Sequence, residues 1–141
     1  MEFEYYNANP YNRHISDCVV RSLSVLTNRT WNEVYSELTD LAGDIGMMFD
    51  RVEFVEDYLD NRYPRECHSS ITVGEFAREH PYGKYAITMP NHITAVINGK
   101  IIDTFNPKNR VMRCAWKIEW FYTLFLLWYN FTRWLYENSS W

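Results

Sequence analysis

The run His92-Ile93-Thr94-Ala95-Val96-Ile97-Asn98-Gly99-Lys100-Ile101-Ile102-Asp103-Thr104-Phe105 decides how this chain is read. Two β-branched stretches, 92–97 and 100–105, flank Asn98-Gly99. That dipeptide is the strongest short-range hairpin signal, because both of its residues tolerate positive φ. A two-residue turn there pairs Ile97 with Lys100, Val96 with Ile101, Thr94 with Asp103 and His92 with Phe105. Paired residues share a face, so His92, Thr94, Asp103 and Phe105 all point one way. Asp103 then stands diagonal to His92, roughly 7–8 Å between backbones, within reach of a carboxylate–imidazole hydrogen bond. A three-residue bulged turn would shift this register. Asn106 lies on the opposite face by parity and is the reserve partner for the histidine.

Working outward, Lys84 to Met89 reads as a further short strand ended by Pro90, and Arg110 to Trp116 as another. The upstream half is helical. Residues 7–17 are rich in Asn, Asp and Pro and read as a loop; from Cys18, Val19, Val20, Leu23 and Leu26 recur at helical spacing. Thr30 and Glu33 form a capping-box pattern ahead of Trp31, Val34, Tyr35, Leu38 and Leu41. A third helix runs through about Arg51 to Leu59, and a fourth starts at Thr72, again with a glutamate three residues on (Glu75), and stops before Pro81. N-terminal helices followed by a small antiparallel sheet make an α+β domain over residues 1–116.

Residues 117–141 differ in kind. From Glu119 to Glu137 the polar residues Glu119, Thr123, Asn130, Arg133 and Glu137 fall on one narrow helical stripe, and nearly everything else is Trp, Phe, Tyr or Leu. The uncharged stretch, Trp120 to Thr132, is short of the ~20 residues a membrane span needs, and one cation on the polar stripe argues against an interfacial membrane helix. The tail is expected to bury Trp120, Phe121, Leu124, Phe125, Leu127, Trp128, Phe131, Trp134 and Leu135. Its apolar arc is wider than one neighbouring surface covers, so contact with its own domain and with a second copy of the chain is expected.

Composition narrows the function classes. A net charge of −4 without a basic run is a poor match to nucleic-acid backbones. The five glycines form no phosphate-cradling loop, and Cys67-His68 with Cys114 lacks the paired ligands of a zinc site, so no metal or cofactor is called for. Three cysteines are too few and too scattered for a disulfide framework, and the acidic N-terminus is not a secretory signal. These features point to a reducing cytoplasm with free thiols.

One constellation can carry chemistry. Cys18 lies where a loop becomes a helix, and free N–H groups and the helix dipole favour a thiolate there. Of four histidines, His14 lies in the leading loop, His68 in an unstructured stretch and His80 at a helix end. Only His92 is on a stiff element with an acid fixed beside it. A helix-start cysteine is more often a small hydrophobe than a nucleophile. Here a nucleophile, a base and an orienter are all available, as Cys18, His92 and Asp103.

The order of these residues resembles the papain-like fold. Asp17-Cys18 opening a helix, then His92-Ile93-Thr94-Ala95-Val96 and Asp103, is similar to the bacteriocin-leader (double-glycine) peptidase domains. It resembles even more the small stand-alone papain-like proteins of phages and Gram-positive bacteria, in the start Asp17, Cys18, Val19, Arg21, the second helix Trp31, Glu33, Val34, Tyr35, Glu37, Leu38, and the hairpin His92, Asn98, Gly99, Lys100, Asp103, Thr104. The resemblance covers about residues 5–116. It implies a thiol hydrolase acting on a peptide or protein, with Cys18 as nucleophile, His92 as general base and Asp103 as orienter. Papain-like enzymes place an oxyanion-hole glutamine six residues before the cysteine; here Asn12, a shorter side chain, holds that position. The charge of Asp17 would oppose thiolate formation unless it points away. The alternative is a catalytically vestigial binding protein on the same fold, which inhibits or recruits a host protein through the aromatic tail.

Overall fold

The computed structural model describes residues 2–139, and the side chains of residues 120–126 lie outside that description. Its elements run β1 (Glu2–Tyr5), α1 (Cys18–Thr27), α2 (Trp31–Ile45), α3 (Val52–Asp60), β2 (Arg65–Cys67), α4 (Val73–Glu79), β3 (Lys84–Met89), β4 (His92–Ile97), β5 (Lys100–Asp103), β6 (Cys114–Lys117) and α5 (Trp120–Asn138). The α+β class stands. The sheet has the order β1-β5-β4-β3-β6-β2.

The central hairpin keeps the expected register next to its turn, although β5 stops at Asp103 instead of running on to Phe105. Ile97 pairs with Lys100, Val96 with Ile101 and Ala95 with Ile102, and the turn residues Asn98 and Gly99 have φ of 49° and 75°. A Cβ at Gly99 would meet the Ala77 carbonyl oxygen at 3.2 Å, so conformation and space both favour glycine there. The preceding turn, Pro90-Asn91, joins β3 to β4 with Met89 opposite His92. Proline first and a positive φ second (59° at Asn91) is the type II pattern, and it launches the strand that opens with His92.

Alternation along the strands splits the core in two. Ala86, Ile93, Ala95, Cys114 and Trp116 face α1, α2 and α3, whose Val20, Leu23, Leu38 and Leu59 complete one layer. Ile87, Met89, Val96, Ile101 and Ala115 face Val73, Phe76 and Ala77 of α4. The helix starts follow their caps. Thr30 accepts from the Glu33 N–H at 3.1 Å, and Thr72 and Glu75 form the full reciprocal box.

Three expectations need correction. The sheet is mixed: Glu2–Tyr5 adds a strand parallel to β5, and Arg65–Cys67 adds one antiparallel to β6. The strand expected from Arg110 begins only at Cys114, Val111 making a single bridge to Thr72. Cys67 and Cys114 are joined by a disulfide, because the β2–β6 register sets them directly opposite with Cα atoms 4.0 Å apart. Cys18 is the free cysteine. Thiol usage therefore no longer argues for a reducing compartment.

The tail forms the expected helix but is not buried against the domain over its described side chains. Leu127, Trp128, Phe131, Trp134 and Leu135 are all exposed, from 46% to 62%. The physical reason is that α1–α3 already cover one sheet face and α4 the other. The burial expected at Trp120, Phe121, Leu124 and Phe125 falls on side chains outside the described residues. No described helix is long and apolar enough to cross a membrane.

Candidate active site

The helix α1 starts at Cys18 with Asp17 as its N-cap, yet the Asp17 side chain caps nothing. Its carboxylate is engaged elsewhere: Oδ1 accepts from Arg21 Nη1 at 2.8 Å, and Oδ2 from Trp31 Nε1 at 2.9 Å and Asn9 Nδ2 at 3.3 Å. The worry that Asp17 would repel a thiolate is thereby answered, since its charge is paired and turned into the protein. The first-turn N–H groups of α1, including that of Cys18, have no intrahelical partner and stay available to an incoming oxygen.

Strand β4 is held against α1 by the Ser22 hydroxyl, which donates to the Ile93 carbonyl at 3.1 Å. That contact sets His92 beside Cys18: both line one cleft, and each shifts the other's titration. His92 Nε2 meets Asp103 Oδ2 at 2.7 Å, the side chains being 8% and 4% exposed. The other imidazole nitrogen is left for the sulfur. Asp103 is fully engaged: Oδ2 also accepts from Thr94 Oγ1 at 2.6 Å, and Oδ1 from the Thr104 N–H at 2.7 Å. The Phe105 ring lies against the imidazole with centroids 4.7 Å apart and shields the His92–Asp103 bond. The four residues assigned to one hairpin face, His92, Thr94, Asp103 and Phe105, thus make a single cluster.

The charges follow from these contacts. Burial pushes the Cys18 thiol up, but the hydrogen bonds from His92 and the Ile93 backbone and the charges of His92 and Arg21 bring it below its ordinary 9.0. Burial pulls His92 down, yet its hydrogen bonds to Asp103 and Cys18 and their charges push it up to about 9. Asp103 also resists burial: bonds from His92 and Thr94 hold its carboxyl below the ordinary carboxylate value. Each shift favours a thiolate–imidazolium pair backed by a carboxylate.

The pair opens on a cleft of about 540 Å³ between the start of α3 and the β3–β4 turn. Val19, Val55 and Met89 supply apolar surface, and Asp50, Arg51 and Arg113 supply charge at the rim. A thiol beside an imidazole, with free backbone donors and an open cleft, is an arrangement able to attack a carbonyl.

Two reserve residues fall outside this arrangement. Asn12 is exposed, has a left-handed φ of 52° and does not line the cleft. Asn106 turns its Oδ1 to the Lys108 N–H at 3.2 Å, leaving Asp103 as the histidine's partner. The other described histidines are used elsewhere or lie apart: His80 bonds the Phe76 carbonyl oxygen at 2.8 Å, His68 approaches Glu66, and His14 is exposed in the leading loop. Sequence reasoning counted Arg21 in the start Asp17, Cys18, Val19, Arg21 but did not find its role; the signal was its spacing four residues after Asp17 at a helix start.

Comparison with protein-family models, curated proteins and solved structures finds no match to this chain.

Proposed function

We propose that this chain is a papain-like thiol hydrolase that cleaves an amide bond of a peptide or protein. The observation that carries this reading is the juxtaposition of Cys18, at a helix start, with the hydrogen-bonded pair His92–Asp103 of one hairpin face, beside an open cleft. The Cys18 thiolate attacks the carbonyl carbon, and the Cys18 N–H supports the developing oxyanion. The C–N bond then breaks, and the amine leaves with the proton of the His92 imidazolium. A thioester remains on Cys18. Water attacks it, giving its proton to His92, and the carboxylic acid product releases the sulfur. Asp103 keeps its charge throughout and orients the ring.

An electrophilic peptide probe tests this reading. It is expected to modify Cys18 in the folded chain, and to fail with Cys18→Ala and with His92→Ala. Modification of Cys18 that ignores His92→Ala overturns it.

The exposed aromatic face of α5 favours a second activity alongside: association through residues 117–141, with a second copy of the chain as first partner. Trp and Tyr dominate interface hot spots, and Trp134 and Tyr136 are 57% and 83% exposed. Light scattering at micromolar concentration is expected to show a dimer that dissociates on truncation after Trp116. A monomer with quencher-accessible tail tryptophans contradicts this.

A further inference from the structure

We propose that Arg21 is the positioning residue of this site: by bridging Asp17 and Asp103 it ties the start of α1 to the end of β5 and sets where Cys18 meets His92. The inference rests on the reading of Cys18 and His92 as the working pair, and it adds a residue that never touches the substrate.

The geometry is specific. One guanidinium nitrogen, Nη1, lies 2.8 Å from Asp17 Oδ1, and the other, Nη2, lies 3.8 Å from Asp103 Oδ1. The Arg21 side chain is 11% exposed, and the two carboxylates are 3% and 4% exposed. Two buried carboxylates flanking a thiolate would be costly without a cation between them. A guanidinium can serve both at once through its rigid planar fork, which an ammonium lacks. The bridge also continues outward. Asp17 is held by Trp31 of α2 and by Asn9 of the leading loop, so the orienter Asp103 is connected to three separate segments through one side chain. Removing Arg21 would leave Asp17 Oδ1 without its hydrogen-bond donor and Asp103 without the cation 3.8 Å from its Oδ1.

The charged groups around Cys18 come from each neighbouring element. Arg21 and Asp17 lie on α1 and its cap and His92 on β4, while Asp50 and Arg51 precede α3 and Arg113 precedes β6. The last three are exposed and of mixed sign, so water screens them. Arg21 is the buried cation among these, and its charge lowers the Cys18 thiol.

The test is the pH profile of Cys18 alkylation by iodoacetamide in the full chain, read by mass spectrometry of the Cys18 peptide, with circular dichroism as the check on folding. Arg21→Met is expected to move the profile upward by about one pH unit, roughly a tenfold slower reaction on the acid side. Arg21→Lys keeps the charge but not the fork and is expected to restore only part of the shift. A folded Arg21→Met with the parent profile overturns the proposal. So does Arg21→Lys with the parent profile, and that variant decides the matter if Arg21→Met does not fold. A parent chain in which Cys18 itself titrates as an ordinary thiol would instead sink the reading of the site, a different and separable failure.

Discussion

The start of α1 and the second half of α5 are opposites. At the first, polar and charged groups are buried and satisfied: Asp17, Arg21, His92, Thr94 and Asp103 form one connected set. At the second, apolar groups are exposed: Leu127, Trp128, Phe131 and Trp134 present 57–62% of their surface. Burying charge is worthwhile only when partners are supplied, and exposing tryptophan is worthwhile only when something covers it. The first arrangement fits the chemistry proposed for it, and the second the association proposed for it.

The comparison breaks most visibly through activity. Asp103→Asn keeps the size of the side chain but removes the charge that supports the His92 imidazolium. Amide cleavage is expected to fall about 10²–10⁴-fold with little change in substrate binding, measured as kcat against KM. A change confined to KM would contradict the orienting role.

Stability sharpens the contrast next, using one residue type in both regions. Trp116 is fully buried and its indole N–H donates to Asp60 at 2.8 Å. Trp116→Ala is expected to cost about 3–5 kcal/mol in denaturant unfolding. Below that comes the disulfide. It closes a loop with a sequence separation of 47, and Cys67→Ser with Cys114→Ser is expected to cost about 2–4 kcal/mol. At the small end, Trp134→Ala is expected to stay within about 0.5 kcal/mol at concentrations where the chain is monomeric. A large loss there would mean that α5 is part of the fold.

Sequence reasoning reached the site further than the sheet. The Asn98-Gly99 turn set the hairpin register residue by residue, and with it the meeting of His92 and Asp103, because turn chemistry is local. The caps at Thr30 and Thr72 were legible for the same reason. The edge strands were not. Glu2–Tyr5 carries charges at alternate positions and finds its partner nearly a hundred residues away, where no local signal reaches. Arg65–Cys67 is three exposed residues whose strand character exists only through β6. The disulfide was hidden with it. The tail was read as a helix from its periodicity, but periodicity reports which face is apolar and not what covers it.

The central claim is that Cys18 and His92 form an ion pair, and titration of Cys18 tests it most directly. Cys18 is the free cysteine, so alkylation of the unreduced chain reports on it alone. As pH rises, reaction should switch on when Cys18 passes its lowered pKa, below the ordinary 9.0. Amide cleavage should switch on with it, then decline as pH passes about 9, where His92 loses the proton that the leaving amine needs. Alkylation, which needs no such proton, should persist. With His92→Ala the low-pH limb of alkylation is expected to disappear. A Cys18 that titrates at its ordinary value in the parent chain, unmoved by His92→Ala, would contradict the account.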